Sequence, residues 1–441
     1  NNVQNPNEFI RLNQYEQSDY FNNQFFGNYA LTSNERHVVK GGISFTKTKF
    51  KQPDRKFING TMNPDGSITT TYAGNHLLRQ FLNVNGNYFF SSFLEYNFKF
   101  GGEEGKKNKL SFGYNGYANN MSSNYRFIYG GAPQGTTPVT VNTPINNIDA
   151  TILNDISLGN VKYREESGGD YKIKLDQQVN AAYTNLFFKL GSAFEINTGL
   201  RLESTTRELK YRFPGTMPTD KFSKRTDKNT DILPAINIKY LFTEKSNLRL
   251  AAGKTITRPV TSELLPIQYV SADGTSEKGN IDLVNSVNYN VDFKYELFPS
   301  DGAMIATTLF AKKIENPIER TIEASGSGSG QIISYYNNKS ATLFGVEFES
   351  IIQLSRLNDN LKGASFGFNT SLMYTEAIAD TNRPGYFDTF EKRKLQGASG
   401  WLINSDLKYE FLFNPKWKNT TSLVYNVYGE RIYAVGVAGN D

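Results

Sequence analysis

Two short segments of the chain place side-chain oxygens at alternate positions, which is a spacing that could bind calcium. A calcium loop of this kind also needs a glutamate further along, and neither segment has one. Asp65 is followed by Gly66, a pair that is typical of a tight turn. We therefore assign no metal-binding residue. The two segments are Asn63, Asp65 and Ser67, and Asp227, Asn229 and Asp231.

Other chemistry-bearing residue types are sparse or badly spaced. The chain has no cysteine and only two histidines, His37 and His76, which lie far apart in sequence. Zinc and haem sites need clustered His or Cys ligands, so we predict neither. No nucleophile elbow, phosphate-cradling glycine loop or catalytic carboxylate pair occurs. We assign no catalytic or cofactor-binding residue and expect no enzyme activity and no cofactor.

Charged residues with a possible role in ligand contact recur at alternate positions. Arg258 and Glu263, on either side of Pro259, could orient a polar ligand, but we favour a structural interpretation in which Pro259 ends a strand. Alternate charges on one face of several strands could line a translocation path. These residues are Arg201, Glu203, Asp292, Lys294, Glu296, Glu347 and Glu349.

Aromatic residues are abundant, with 26 Tyr and 32 Phe, and many lie in or beside long polar segments. They could stack on flat ligands, or form an aromatic girdle at a membrane surface and pack the loops. We favour the girdle for those nearest strand ends, and the substrate-binding residues remain unknown. The group comprises Tyr72, Tyr88, Phe89, Phe90, Tyr125, Phe127, Tyr129, Tyr269, Tyr335, Tyr336, Tyr386 and Phe387.

Alternation of apolar and polar residues predicts the elements that carry these side chains. Between Val287 and Leu297 every second residue is apolar and the residues between them are polar, which is typical of a strand with two different faces. About 14 such segments occur. They lie near 24–32, 37–50, 89–100, 108–119, 175–189, 194–205, 232–242, 247–256, 286–298, 304–313, 342–354, 364–375, 401–413 and 419–430.

The connections between these strands alternate between short and long, which indicates a two-sided topology. Short polar turns such as 33–36, 190–193 and 414–418 alternate with segments near 51–88, 120–174, 206–231, 257–285, 314–341 and 376–400. Outer-membrane barrels have tight turns on the periplasmic side and long loops outside. The run of Ser and Gly at 325–330 reads as a loop tip. The sequence thus favours an all-β fold, a transmembrane antiparallel β-barrel, over a soluble β-rich architecture.

Composition agrees with a barrel and disfavours other classes. Hydrophobic residues make up 38% and the mean hydropathy is −0.50, and no run approaches the roughly 18 to 20 apolar residues of a membrane-spanning helix. The net charge of +5 comes from scattered residues, so nucleic-acid binding is not expected. The first residues, Asn1 and Asn2, resemble no leader, and we expect any signal peptide to lie upstream.

From about Lys174 onward the chain resembles the barrel of TonB-dependent outer-membrane receptors, especially the Bacteroidota type. Each sequence block is weak alone, but their order along the chain is specific. The blocks are AAYT (181–184), NTGLRLE (197–203), ILPAIN (232–237), NLRLA (247–251), TRP (257–259), ELLP (263–266), FAKKIENPIE (310–319), GVEFE (345–349), RKLQG (393–397) and YNVYGERI (425–432).

The resemblance implies a barrel of about 22 strands around a plug domain. Residues 1–441 would then be a partial barrel, with the plug, the TonB box and the terminal strands outside them, because open edges are costly in lipid. Most inward charges would contact the plug. The natural protein is expected to be longer than this chain.

The function implied by the resemblance is active import of a nutrient across the outer membrane. The nutrient would be a siderophore, glycan, peptide or vitamin, and the resemblance does not choose among them. Its partners would be TonB with its ExbB/ExbD motor, outer-membrane lipid and lipopolysaccharide, and a lipoprotein lid is a further candidate partner. Two alternatives remain open: a passive porin or secretion-associated pore, and a soluble β-rich binding protein.

Overall fold

The computed structural model describes residues 7–73, 76–102, 107–165, 171–212, 222–266, 268–270, 276–324, 331–382 and 390–436. In these ranges no helix has the length and apolar character needed to cross a membrane. Strands dominate, and fourteen long ones form a single wall. The proposed loop tip at 325–330 and the aromatic residues Tyr386 and Phe387 lie outside the described residues.

All fourteen predicted strands are confirmed. Each one carries the alternating pattern that places successive side chains on opposite faces. The wall strands are β1 (Gln17–Ala30), β2 (His37–Met62), β3 (Leu77–Phe100), β4 (Asn108–Gly131), β5 (Tyr171–Leu190), β6 (Phe194–Tyr211), β7 (Ser223–Thr243), β8 (Ser246–Thr257), β9 (Ser286–Leu297), β10 (Met304–Glu315), β11 (Ser340–Gln353), β12 (Ala364–Ile378), β13 (Trp401–Asn414) and β14 (Trp417–Tyr428).

The wall is an antiparallel meander in which every strand pairs with the next one along the chain. Val291 of β9, for example, lies opposite Ala252 of β8 and Ala311 of β10. In the described part of the chain, β1 and β14 are not paired with each other. The wall is therefore open at both edges.

Burial is inverted relative to a soluble sheet. On β9 the apolar side chains of Val291 and Phe293 are 48% and 42% exposed, whereas the polar Asn288 and Glu296 on the other face are 7% and 8% exposed. An apolar outer face and a polar inner face are the arrangement that a bilayer selects. The prediction of a transmembrane β-barrel wall is confirmed, and the soluble alternative is wrong because its apolar face would be covered by a core.

Strands β2, β3 and β4 are much longer than predicted, at 26, 24 and 24 residues. The segments near 51–88 and 120–174 are therefore only partly loop. The sequence of this region lacks a regular alternation of apolar and polar residues and reads as loop, but the ladder of backbone hydrogen bonds continues through it. Register shifts on β2 after Gln52 and on β3 after Gly86 let the ladder continue.

The ends of these long strands carry a small core of their own. Its buried members include Ile58, Tyr72 and Leu77 from the wall and its first long connection, and Ile148 and Ile152 from helix α1 (Ile148–Ser157). The Tyr72 hydroxyl donates to the Asp155 carboxylate at 2.5 Å. Short strands Glu8–Asn13, Ser67–Thr71, Thr140–Pro144 and Lys162–Glu165 complete this part of the sheet.

A second, five-stranded sheet is built from the other long connections. Its antiparallel pairs and two short parallel pairs join segments that are far apart in sequence. We call it the outer sheet, because it lies at the long-connection end of the wall. Its strands are Gln268–Val270, Ser276–Lys278, Ile318–Ala324, Gln331–Asn337 and Val435–Gly436.

The remaining elements are short. They are helix α2 (Thr261–Leu264), the strand Lys392–Arg393 and the 3-10 turns Ile145–Asn147, Leu354–Arg356 and Asp359–Leu361. The predicted alternation of connections is confirmed by the strand bounds. Examples of short connections are residues 191–193 and 244–245. Examples of long connections are residues 258–285 and 316–339.

Candidate functional site: the inner face of the wall

The inner face carries an ionic cluster that the alternation of β6 produces. Arg201 and Glu203 lie on the same face of this strand, and Arg201 Nε donates to Glu203 Oε2 at 2.9 Å. Arg258, just beyond β8, forms an ion pair with the other oxygen of Glu203. Arg201 also donates to the Asn115 amide oxygen at 2.6 Å, and Arg258 donates to the Thr205 hydroxyl at 3.1 Å. One carboxylate thus neutralises part of the charge of two guanidinium groups.

A depression of about 660 Å³ surrounds this cluster. On its other side the Tyr183 hydroxyl donates to Glu95 at 2.9 Å, and Asn97 donates to the same carboxylate at 2.8 Å. Glu95, Tyr183 and Arg201 lie in register across β3 to β6 and share the inner face. The depression can accept hydrogen bonds and ion pairs from whatever occupies the lumen.

Three of the other predicted inward charges form a second cluster. Lys294 donates to Glu349 at 2.6 Å and lies 3.8 Å from Glu296, which also accepts from Arg249 at 2.6 Å. These groups come from β8, β9 and β11, and only strand pairing brings them together. Among the described residues, Asp292 and Glu347 lie on the inner face without an ion pair.

A more enclosed pocket of about 310 Å³ lies higher on the inner face, under the connection after β8. Its lining is mainly apolar and includes Leu82, Met121 and Tyr125 from the wall and Leu265 and Tyr269 from the connection. The rings of Tyr125 and Tyr269 have centroids 5.9 Å apart. The pocket can hold a ring or an apolar group between wall and connection.

A buried arginine borders this pocket. Arg55 is 2% exposed, and its guanidinium lies 5.2 Å from the ring centroid of Tyr269 and 4.7 Å from that of Phe57. It donates to the Tyr269 hydroxyl, which in turn donates to Gln52 at 3.1 Å. Sequence reasoning missed Arg55 because it assigned this residue to a loop. The sequence signal that could have identified Arg55 is that Gln52, Arg55 and Phe57 share one face of β2. One extra residue between Gln52 and Arg55 interrupts the regular alternation.

The outer sheet is fixed by a second buried network. Glu319 and Arg393 have side chains that are 1% and 3% exposed, and they form a bidentate ion pair with N–O distances of 3.1 Å. Asn338 donates to Glu319 at 2.5 Å, and the backbone N–H of Gln396 donates at 3.0 Å. The two sequence blocks at 310–319 and 393–397, which resemble the receptor family, therefore meet at one carboxylate.

Next to this network, Glu277 accepts from Arg320 at 2.5 Å and from the Tyr335 hydroxyl at 3.2 Å. Burial and, secondly, the neighbouring Glu277 carboxylate raise the pKa of Tyr335 to about 12. Arg320 also stacks on the ring of Tyr433 at 4.5 Å. These contacts join two of the long connections to the segment after β14, and the Glu319–Arg393 ion pair adds a third connection.

The proposed pairing of Arg258 with Glu263 is not found. Arg258 contacts Glu203, whereas the Glu263 carboxylate accepts from the backbone N–H of Val260 at 2.9 Å. Pro259 follows the last residue of β8, Thr257, which agrees with its structural interpretation. Arg258 therefore belongs to the ionic cluster around Glu203 and does not pair with Glu263.

Neither oxygen-rich segment is arranged as a calcium loop. Asp65 accepts from the backbone N–H and the hydroxyl of Ser67 in a turn, which lowers the pKa of its carboxyl group. Asp227 instead binds Arg207 at 2.8 Å and Arg225 at 3.0 Å. Within the described ranges no group of three His, Asp or Glu residues is placed to hold a metal.

The two histidines are in different surroundings. His37 Nδ1 and the Tyr96 hydroxyl are 2.6 Å apart, and the His37 ring stacks on Phe98 with centroids 5.0 Å apart. His76 lies at the other end of the wall, with Nδ1 3.2 Å from the backbone oxygen of Asn59. The two histidine side chains therefore lie far apart on the wall.

The aromatic residues divide into buried, exposed and partly buried groups. Tyr72, Tyr125 and Tyr335 are at most 8% exposed and pack the connections, whereas Tyr88 and Phe90 are both 41% exposed on the wall. The exposed group occupies the position of a girdle at the membrane surface. Phe127, Tyr129, Tyr269 and Tyr336 are partly buried. The residues assigned to loops at 120–131 are wall residues.

Comparison with known proteins agrees with this geometry. Solved structures with the same fold include the siderophore receptor PiuA from Acinetobacter baumannii, with a TM-score of 0.58 and 10% identity over 94% of this chain and 55% of that one. The ferric-catecholate import receptor Fiu from E. coli K12 matches with a TM-score of 0.51 and 12% identity over 91% and 52%. The copper transporter OprC matches with a TM-score of 0.51 and 9% identity over 95% and 62%.

This chain thus spans about half the length of the first two receptors. No curated protein matches the sequence. The family model described as the outer membrane protein beta-barrel family matches residues 103–436, which is most of the chain. The resemblance to outer-membrane receptor barrels is confirmed, and its assignment to the Bacteroidota type stays a prediction. The chain belongs to the outer membrane protein β-barrel family and is an integral protein of the outer membrane.

Proposed function

We propose that this chain forms most of the barrel wall of a TonB-dependent receptor that imports a nutrient. The observation that carries the proposal is the open wall: fourteen consecutive strands do not close on themselves in the described part of the chain. An open edge is prohibitively costly in lipid, so further strands must complete the barrel. A barrel well above fourteen strands has a lumen wide enough to hold a plug.

The inner face supports a filled lumen. In each of the two ionic clusters, around Glu203 and around Glu296, one carboxylate is shared by two basic side chains, so part of the positive charge has no partner of its own. A plug domain with complementary polar groups would satisfy them. The plug, the TonB box and the terminal strands would lie outside residues 1–441, and the motor partners would be TonB with ExbB/ExbD. A lipoprotein lid is a further possible partner.

We place nutrient capture in the enclosed pocket between Tyr125 and Tyr269. It lies at the end of the wall with long connections, which faces the outside in outer-membrane barrels. Its two rings and the nearby Arg55 fit a ligand with a ring and a polar or anionic group. Siderophores, glycans, peptides and vitamins include such ligands, and growth experiments decide among them.

The test is growth of a strain that lacks the protein on a panel of single nutrient sources. We expect one class of nutrient to be lost and to be restored by the wild-type protein only when TonB is present. Tyr269→Ala should reduce uptake, and the matched control Tyr289→Ala on the outer face should not. Uptake that continues without TonB, or ion conductance through the purified protein in planar bilayers, would instead support a passive pore.

A further inference from the structure

Several exposed aromatic side chains lie on the inner face of the wall, which carries mainly polar groups. Phe89 and Phe93 of β3 are 37% and 41% exposed, and Phe26 of β1 is 81% exposed. Phe89 and Phe93 are six and two residues before Glu95, so alternation places them on the same face as this inward carboxylate. Phe26 lies opposite Gly42, which lies opposite Phe93, so Phe26 shares this face. Aromatic side chains on the lumen side do not meet lipid, and their exposure indicates another partner.

These rings have defined neighbours on the wall. The Phe89 ring stacks on the Tyr117 ring of β4, with centroids 5.2 Å apart and 27° between the ring planes. The Phe93 ring lies over Gly42, because a Cβ added to this glycine would be 2.5 Å from a ring carbon of Phe93 and 3.1 Å from the Cβ of Phe26. A glycine inside a strand often marks such a close approach. We call Phe26, Phe89, Phe93 and Tyr117 the inner aromatic row.

The inner aromatic row begins where the capture pocket ends. Tyr125, Met121 and Tyr117 follow one another at every fourth residue of β4 and share its inner face, and the first two line the pocket. Asn115, which lies opposite Phe93, is ten residues from Tyr125, so pocket and row together extend about 34 Å along β4. At the strand tilt of about 40° found in barrels, this is about 26 Å across the membrane. The apolar band of such barrels has a height of about 25 Å.

A positive charge lies beside the row. Arg201 donates to the Asn115 amide oxygen at 2.6 Å, and Asn115 lies opposite Phe93. Arg201 and Arg258 share the carboxylate of Glu203, so two guanidinium groups and one carboxylate leave this cluster with a net charge of +1. Aromatic rings with a cationic group beside them match a ligand that has a ring and an anionic group.

The carboxylate of Glu95 also lies on this face, and its charge is balanced by the wall itself. Lys40 lies opposite Glu95 in the register. The ammonium groups of Lys40 and Lys109 both attract this carboxylate. Glu95 therefore leaves no uncompensated negative charge that would repel an anionic ligand from the row.

We propose that the inner aromatic row is the path by which a captured ligand with an aromatic ring and an anionic group moves along the wall. This inference rests on the proposed function of nutrient import. The ring stacks first on Phe89 and Tyr117 and then on Phe93 beside Phe26, while the anionic group stays near the cluster around Glu203. Each stacking contact is weak enough for the ring to leave it, as a path requires. Continuity with the pocket favours a moving ligand over a fixed contact with the plug, which would not need to reach the pocket.

The experiment is photolabelling of intact cells that produce the natural full-length protein, with 4-azidobenzoate, which has a ring and a carboxylate. Peptide mass spectrometry locates the label. We expect label at or beside Tyr125 and Tyr269 with or without TonB. Label at or beside Tyr117 and Phe93 should appear only when TonB is active, because the plug covers the row at rest. Phenyl azide, which has the same ring without the carboxylate, should label the row about two- to fivefold less.

The variant is Phe89→Ala, which removes one stacked ring. It should lower the labelling beside Tyr117 by about 2- to 13-fold and leave the labelling of the pocket unchanged. A tyrosine at the same position, in Phe89→Tyr, should restore the labelling. The matched control is Phe90→Ala, because Phe90 is the next residue of β3, is 41% exposed and lies on the outer face opposite Phe45. This control should label like the wild type, and heat-modifiable migration on gels checks that each variant is folded.

The label map separates this proposal from the proposed capture site. A labelled pocket with an unlabelled row, in cells with active TonB, would mean that the plug covers this face throughout, and would overturn the path alone. Equal labelling of the row with and without TonB, or equal labelling in Phe89→Ala and the wild type, would also overturn the path. A labelled row with an unlabelled pocket would refute the capture site and support the path, and absence of label from both would refute both.

Discussion

The buried ion pair between Glu319 and Arg393 predicts how the outer sheet responds to a single substitution. In Glu319→Ala, the Arg393 guanidinium loses its bidentate partner, and the Asn338 amide and the Gln396 N–H each lose an acceptor. Breaking a buried pair by removing one partner costs about 3 to 5 kcal/mol. Because the wall strands have their own ladder, we expect this cost to fall on local opening of the outer sheet.

Hydrogen exchange by mass spectrometry measures that opening. A loss of about 3 to 5 kcal/mol accelerates exchange by roughly 10² to 5 × 10³-fold in the strands Ile318–Ala324 and Gln331–Asn337, while β9 and β10 stay protected. The control is Glu315→Ala, whose carboxylate is 43% exposed and 3.8 Å from Lys313, so we expect less than about 1 kcal/mol. Acceleration below about tenfold in Glu319→Ala, or equal acceleration in the control, would refute the reasoning.

Three further predictions rest on other contacts. Tyr72→Phe removes the donor to Asp155 in a buried site and should destabilise the packing of α1 by roughly 1 to 3 kcal/mol, seen as faster exchange in Ile148–Ser157. The pKa of Tyr335 is raised to about 12, so the stabilisation that its neutral hydroxyl gives is complete below pH 10 and is lost as the pH rises towards 12. Faster hydrogen exchange in Gln331–Asn337 should report this loss. Tyr335→Phe should abolish the pH dependence. Phe293→Arg, on the outer face, should lower the free energy of unfolding from lipid by about 2 to 4 kcal/mol in unfolding titrations. Asn290→Arg, on the inner face, should be tolerated. Equal losses of unfolding free energy in the two variants would contradict the assignment of faces.

The sequence alone was sufficient to predict the fourteen wall strands and the face that each side chain takes. Strict alternation at places such as Val287 to Leu297 defines a strand, because in a bilayer each outward side chain meets lipid and each inward one meets polar groups. The short and long connections followed from the same pattern. The inward direction of Arg201, Glu203 and Lys294 was also predictable from alternation alone.

The outer extensions of β2, β3 and β4 were not predictable in this way. Their segments show no regular alternation of apolar and polar residues, and 51–62, for example, contains Pro53, which is typical of a loop. Above the membrane no lipid requires an apolar face, so the alternation signal fades while backbone pairing continues. Arg55 and Tyr125 were for that reason assigned to loops.

Pairing between distant segments was decided by the tertiary structure. Glu319 and Arg393 are 74 residues apart, and Arg258 reaches Glu203 across 55 residues, with β7 between them in the sheet. The alignment of Lys49 with Asn85, Ser122 and Lys174 depends on the register of four strands. Alternation in one strand predicts which face of the sheet a side chain takes. A one-residue change in the register of that strand would place the same side chain beside different neighbours. The sequence by itself therefore determined the strands and their faces, whereas register and packing determined which charges meet.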